Sequence, residues 1–182
     1  QLLQKERQLF VSMIADEGLW VIDLDNGEQQ GLVELAAPVS SLCDMGTHLV
    51  AALSASDQVA RIRLSGDETP TYFPIATDLS GSDGELLKNS NVNAVFCDTQ
   101  SNRIYASRGA DNLIAVLDGE TFDILGLIPT GAYPTQLAGD TGQQKLWMTE
   151  GKGGTAPSGG RVAKKVIFGA VRTLDLAEVT LS

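Results

Sequence analysis

An all-β fold of tandem four-stranded units is predicted by three observations. Short alternating runs end in Asp at a turn, a second apolar run starts five or six residues later, and the pair returns at intervals of about 40 to 55 residues. The first copy of the pair is Pro38-Val39-Ser40-Ser41-Leu42-Cys43-Asp44, followed by His48-Leu49-Val50-Ala51. The next is Val92-Asn93-Ala94-Val95-Phe96-Cys97-Asp98, followed by Arg103-Ile104-Tyr105-Ala106. The last is Pro134-Thr135-Gln136-Leu137-Ala138-Gly139-Asp140, followed by Lys145-Leu146-Trp147-Met148. The three Asp residues are 54 and then 42 positions apart.

Each element of the unit has the same warrant. Leu9-Phe10-Val11-Ser12-Met13 is an earlier copy of the second run, so Leu9, Leu49, Ile104 and Leu146 mark one position, 40, 55 and 42 residues apart. A third run follows as Leu19-Trp20-Val21-Ile22-Asp23, Val59-Ala60-Arg61-Ile62-Arg63, Ile114-Ala115-Val116-Leu117-Asp118 and Ala170-Val171-Arg172-Thr173-Leu174-Asp175. Turn residues such as Asp25-Asn26-Gly27 or Gly119-Glu120 lead to a fourth run, as in Gly31-Leu32-Val33-Glu34-Leu35 or Ile124-Leu125-Gly126-Leu127-Ile128. Four short strands per unit at this period predict β-propeller blades. A β-sandwich would not repeat the Asp turn at a fixed place. The whole of 1–182 reads as one partial propeller domain of about 3.5 blades, with repeat units about 9–48, 49–103, 104–145 and 146–182, part of a larger propeller. So few blades leave apolar faces open, which predicts self-association or closure by a partner.

The stretches Ile104-Tyr105-Ala106-Ser107, Asn112 to Asp118 and Ile128-Pro129-Thr130-Gly131-Ala132-Tyr133-Pro134 resemble the YVTN-type propeller repeat of bacteria and archaea. That repeat reads as a Pro-to-Asp-Gly run, then L-Y-V, V-S-V-I-D and I-P-V-G. The likeness is strongest over 91–150 and looser over 9–64; positions 1–8 fall outside it, and Arg63 or Leu64 stands where blade two should carry Asp. The resemblance implies a usually seven-bladed ring and a periplasmic or extracellular location. In part of that group an alkaline-phosphatase-like metal hydrolase domain follows the propeller. None of its metal-ligand or nucleophile pattern is present in this sequence.

Composition narrows the function classes. A net charge of −10 argues against nucleic-acid binding, which needs a basic footprint. No run approaches eighteen apolar residues, so no membrane-spanning helix is expected. No leader is visible at Gln1. One His excludes His-rich metal sites. Cys43 and Cys97 read as equivalent positions in successive blades, too far apart to bridge, and so as small buried hydrophobes. His48 reads as a surface residue beside a turn. Trp20, Trp147 and Tyr105 read as packing between blades.

Two long connections point to where binding would occur. With strands labelled a to d from the axis outward, the d–a and b–c connections leave on one face. The d–a loop 76–91 carries Asp78, Asp83 and Glu85, and the b–c loop 151–168 carries Lys152, Arg161, Lys164 and Lys165. From Gly151 to Arg172 there are five basic residues and no acid, on a body otherwise rich in carboxylates. Such a loop attracts an anion or an acidic protein surface, although a solvated insertion has the same composition. Gly151-Lys152-Gly153-Gly154 follows a strand, but no helix follows it, so a phosphate-loop reading fails. Asp78, Ser80, Asp83 and Glu85 are oxygen donors of the kind calcium takes, but Gly84 comes one position late for an EF-hand loop. No other cofactor is indicated.

The inner-strand starts Pro38-Val39-Ser40, Val92-Asn93-Ala94 and Pro134-Thr135-Gln136 offer no carboxylate or His to an axial channel. That favours a non-catalytic binding or scaffold module, with a protein partner or the remaining propeller blades against it, or an oligomer completing the ring. The alternative is the propeller part of an enzyme: lactonase-like, quinoprotein-like, or companion to a phosphohydrolase domain.

Overall fold

The Asp residues that mark the repeat each close a turn in the same way. Side-chain oxygens of Asp23, Asp44, Asp98, Asp118 and Asp175 accept from the backbone N–H two residues on, at 2.7–3.1 Å; Asp140 takes the N–H of Gln143 at 3.1 Å. Asn91, Asn102 and Asn112 and Gly46 supply left-handed backbone at other corners. Between these corners the β-branched and apolar runs pair as strands. The computed structural model describes residues 1–13, 16–64, 69–75, 90–155 and 167–179, and among them fifteen strands form four antiparallel sheets without a helix.

Blade I contains β1 (Leu2–Lys5), β2 (Gln8–Ser12), β3 (Gly18–Asp23) and β4 (Gln29–Glu34). Blade II contains β5 (Val39–Asp44), β6 (His48–Leu53), β7 (Gln58–Arg63) and β8 (Thr71–Pro74). Blade III contains β9 (Val92–Asp98), β10 (Arg103–Arg108), β11 (Leu113–Asp118) and β12 (Ile124–Pro129). Blade IV contains β13 (Pro134–Asp140), β14 (Lys145–Thr155) and β15 (Ile167–Asp175). Strands neighbour in sequence order within every sheet. The fold is therefore the all-β propeller blade architecture that the repeat predicts. One boundary is corrected: residues 2–5 are an inner strand, paired to β2 with Leu3 opposite Phe10, and not a stretch outside the repeat.

Each blade has an exit face toward the next blade and an entry face toward the previous one. Phe10 and Leu19 on the exit face of blade I meet Leu42, Leu49, Ala51, Ala60 and Ile62 of blade II. Val50, Ala52 and Val59 of blade II meet Val95, Cys97, Ile104, Ala106, Ala115 and Leu117 of blade III. Tyr105, Ile114 and Val116 of blade III meet Leu146 and Met148 of blade IV. A fully buried Leu or Ile contributes about 1.5–3 kcal/mol relative to an exposed one, so these interfaces hold the blades together.

The same positions behave differently at the end of the row. Leu19, Val59 and Ile114 are fully buried, whereas Val171, their counterpart on β15, is 72% exposed. Phe10, Val50 and Tyr105 are buried, whereas their counterpart Trp147 is only half-buried. Trp20 likewise is half-buried on the entry face of blade I, where it borders a groove with Val11, Met13 and Ile22. Tyr105 thus packs between blades as expected, while Trp20 and Trp147 lie on the outward faces of the first and last described blades.

Cys43 and Cys97 form a disulfide, with Cα atoms 5.5 Å apart, instead of standing as separate buried hydrophobes. The reason is register. Asp44 pairs with Leu49, but Asp98 pairs with Arg103, which precedes the Leu49 counterpart Ile104. The turn of blade III is one residue longer, and a one-residue slip moves a side chain to the other face of its strand. Cys43 therefore lies on the exit face of blade II and Cys97 on the entry face of blade III, facing each other.

Candidate ligand and partner face

The inner strands are tied to one another by the polar residues at their starts. Ser40 Oγ donates to the Val92 carbonyl at 2.9 Å, and Asn93 Nδ2 to the Pro134 carbonyl at 2.9 Å. Ser41 Oγ accepts from the Val95 N–H at 3.1 Å. These side chains bridge blades.

The b–c turn of blade III, the d–a connection from blade III to blade IV and Glu150 of β14 meet on one face. Asn112, in the b–c turn of blade III, accepts the Thr130 N–H on its carbonyl at 2.8 Å and the Tyr133 N–H on Oδ1 at 2.6 Å. The d–a connection 130–133 is held from the other side by Glu150 of β14, whose Oε1 accepts the Gly131 N–H at 2.7 Å. Arg172 of β15 donates from Nε to Glu150 Oε2 at 2.8 Å; the Glu150 side chain is fully buried and that of Arg172 is 52% exposed. Burial pushes the Glu150 carboxyl up, but hydrogen bonds from Arg172 and the Gly131 amide outweigh it and hold the pKa below the usual range. A Cβ at Gly131 would meet the carboxylate of Glu150 and the guanidinium of Arg172, so a side chain there would displace the ends of this pair.

Beside this pair lies a cleft of about 420 Å³ bordered by Pro129, Thr130, Gly131, Met148, Arg172, Thr173 and Leu174. It has an apolar floor and one half-exposed guanidinium, a set suited to a small anion or an acidic side chain. On the opposite face a second cleft of about 330 Å³ lies between the same two blades, among residues that include Asp98, Arg103, Tyr105 and Gln144. The carboxylate of Asp98 is engaged there by its own turn, accepting from Ser101 Oγ at 2.6 Å.

The residues singled out in the sequence distribute as follows. Asp78, Asp83, Glu85, Arg161, Lys164 and Lys165 lie outside the described residues, so the acidic loop and its calcium-like donor set do too. Lys152 is in β14. The segment around it is not wholly loop: β14 and β15 continue past the blade as a two-stranded ribbon, with Gly154 opposite Phe168 and Thr155 opposite Ile167 beyond a bulge after Glu150. Arg172 stands at the base of this ribbon. Glu150 and Gly131 were not legible as site residues, because neither sits in a motif and only the fold brings them together. Among the described residues no three His, Cys, Asp or Glu side chains cluster as metal ligands. No helix among them is long and apolar enough to cross a membrane.

His48 is buried, not a surface residue. It lies 5.6 Å from the ring of Phe122, and its Nδ1 is 2.9 Å from Thr47 Oγ1. Burial lowers its pKa below the usual value; Arg61 and Arg63 push the same way, while Glu120 and Asp44 oppose them. Arg61 stacks over Phe73 and Phe122 beside it.

No protein-family model matches the chain, and no curated protein matches it in sequence. Solved structures do match. A chain of Kuenenia stuttgartiensis hydrazine synthase is similar over 94% of this chain and 43% of its own, with a TM-score of 0.71 and 14% identity. The β-propeller domain of Myceliophteria thermophila Cps50 (Swd1) is similar over 80% of this chain and 46% of its own, with a TM-score of 0.64 and 16% identity. A chain of the mitotic checkpoint complex is similar over 83% and 46%, with a TM-score of 0.64 and 16% identity. The chain thus has a β-propeller fold and spans less than half the length of these solved chains.

Proposed function

We propose that this chain is a non-catalytic binding and scaffold module of the YVTN type, acting in the periplasm or outside the cell. Its d–a/b–c face takes an acidic protein partner or an anionic ligand. The observation that carries the reading is the division of labour between the two polar sets. Ser40, Ser41 and Asn93 at the axis are engaged in bridging blades, while Arg172 borders an open cleft at the base of the β14–β15 ribbon. The Cys43–Cys97 disulfide supports an oxidising compartment. The similarity to a mitotic checkpoint complex chain supports a role in assemblies. The similarity to a hydrazine synthase chain favours, as a second reading, the propeller part of an enzyme.

The test uses poly-L-glutamate and inorganic phosphate as probes. Replacing Lys164 and Lys165 by Glu, with Arg172→Ala, weakens poly-L-glutamate binding about tenfold at low salt and less at high salt, where exposed charges are screened. Phosphate, if it is the better probe, shows the loss with Arg172→Ala alone. Equal binding by wild type and variants at both ionic strengths removes this face as the site.

A further inference from the structure

We propose that the cleft between the a–b turns of blades III and IV, on the face away from the ribbon, binds a small free carboxylate. Arg103 takes its charge and the Tyr105 hydroxyl is a second donor. The starting point is one corner of the fold that occurs three times, where the a–b turn of one blade meets the turns of the next.

At two of the three corners the space is filled from within. Between blades I and II, Lys5 reaches across and donates to Asp44 Oδ1 at 2.7 Å and to the Gly46 carbonyl. Between blades II and III, Met45 is buried with its methyl against Gly119, and the His48 ring lies 5.6 Å from that of Phe122. Between blades III and IV the frame is the same: the Leu176 N–H donates to the Gln144 carbonyl at 2.7 Å, as the Gly119 N–H does to that of Asn102 at 2.9 Å. The fillers differ. Arg103 stands before Ile104 as His48 stands before Leu49, and Val179 follows Asp175 as Phe122 follows Asp118. An aliphatic side chain thus replaces a phenyl ring, and a cleft of about 330 Å³ is left.

The lining offers donors and one positive charge. Tyr105 is the counterpart of Phe10 and Val50, which have no polar side-chain atom. It is 1% exposed, and its hydroxyl lies beside Arg103 and Ser101, which also border the cleft. Burial raises the pKa of that hydroxyl although Arg103 and Ser101 pull it down, so the phenol keeps its proton at neutral pH and can donate it. Asp98 is spent on its own turn: its oxygens accept the N–H groups of Gln100 and Ser101 at 3.0 and 3.3 Å and the Ser101 hydroxyl at 2.6 Å. Among the described residues no carboxylate stands within ion-pair distance of Arg103. Leu176 and Ala177 give the cleft an apolar edge.

These features select the ligand. A guanidinium forks onto the two oxygens of a carboxylate, and a phenolic O–H beside it donates to one of the same oxygens. The apolar edge takes a short alkyl chain. A cation is repelled by Arg103, and a neutral amide leaves its charge unmet. The volume is at the lower end for small-molecule sites, about 300 Å³ and upward, which fits a free molecule. The site is on the opposite face from the Arg172 cleft and does not depend on what that face takes.

The experiment is an amide-resolved NMR titration of the whole chain with butyrate up to about 50 mM at constant ionic strength, with butyramide as the neutral control. A ligand of this size is expected to bind with a Kd on the order of 1 mM. Wild type is expected to show saturable shifts at Ser101, Gln144, Leu176 and Ala177 with butyrate and none with butyramide. Arg103→Gln is expected to weaken binding about tenfold or more, and Tyr105→Phe about three- to tenfold. Tyr105→Phe keeps the ring between the blades, so its spectrum elsewhere stays that of wild type. Arg172→Ala is expected to change nothing at these four residues. The proposal is overturned if no saturable shifts appear there, if butyramide shifts them equally, or if Arg103→Gln binds butyrate as wild type does. Displacement of butyrate by poly-L-glutamate would make a protein carboxylate the occupant and overturn the free-molecule reading.

Discussion

The two interior interfaces on either side of blade III use the same strand positions and are closed by different means. Between blades II and III an aliphatic cluster is locked by the Cys43–Cys97 disulfide and flanked by His48, Phe73 and Phe122. Between blades III and IV the contact is an aromatic wedge: Phe96 sits where a side chain on Gly139 would have to be. Above the wedge is the Glu150–Arg172 pair, and clefts open on both faces. The first interface is a covalent frame. The second leaves room, and it is there that the candidate site lies.

The largest break is expected at the frame. A double substitution of Cys43 and Cys97 to Ala should lower stability by about 4 kcal/mol on the loop-entropy model for this loop length. A reductant should do the same to wild type and nothing further to the variant. An unchanged denaturation midpoint under both treatments would show that apolar packing alone closes blades II and III.

A smaller loss is expected at the wedge. Gly139→Ala places a methyl within 2.2 Å of the Phe96 ring, which must then move. Overpacking of this kind costs about 1–3 kcal/mol. Phe96→Leu in the same chain should recover much of it, since the wedge becomes smaller. Additive losses in the double variant would separate the two residues and contradict the contact.

The smallest effect distinguishes the interfaces by pH. His48 is held neutral in the fold, with its pKa below the ordinary 6.5, so the unfolded chain binds the proton more readily. Its contribution is present above pH 6.5 and is lost as pH falls toward the folded pKa. Glu150 has its pKa lowered from 4.5, so its contribution is kept above that value and lost only as pH falls through the lowered one. Acidification should therefore weaken the frame first and the wedge later. Urea midpoints between about pH 7 and 5 should fall in wild type and stay flat in His48→Phe, which keeps the contact with Phe122. Parallel slopes in the two chains would remove His48 from this role.

Much of the fold was legible because its signals are local. The Asp turns, the apolar runs and their period are all written within a few residues of one another. The first strand was missed because Leu2-Leu3-Gln4-Lys5 has no β-branched residue and no Asp at its turn, and is fixed only by pairing with β2. The disulfide was missed because aligning the Asp residues makes the two cysteines equivalent; pairing is set from the second strand, and one extra turn residue reverses a face. His48 was misplaced because burial there comes from Phe122 of the next blade. The positive charge expected of the 151–168 segment comes from composition alone, because Arg161, Lys164 and Lys165 lie outside the described residues. The geometry of the candidate face at Gly131, Glu150 and Arg172 was not legible, since that depends on which connection passes over which blade.

The ribbon formed by β14 and β15 has a mechanical consequence. From Glu150 to Thr155 the partner strand advances three residues, Ala170 to Ile167, about 10 Å at the usual strand rise, because β14 bulges at the base. A lever of that length carries what happens at its foot to its tip: a tilt of about 10° at the bulge moves Thr155 about 2 Å sideways. The Glu150–Arg172 bond joins the two strands at that foot, so it sets the stiffness of the arm as well as the charge of the cleft. An anion that draws Arg172 away from Glu150 would be felt at the tip as a displacement the size of an atom.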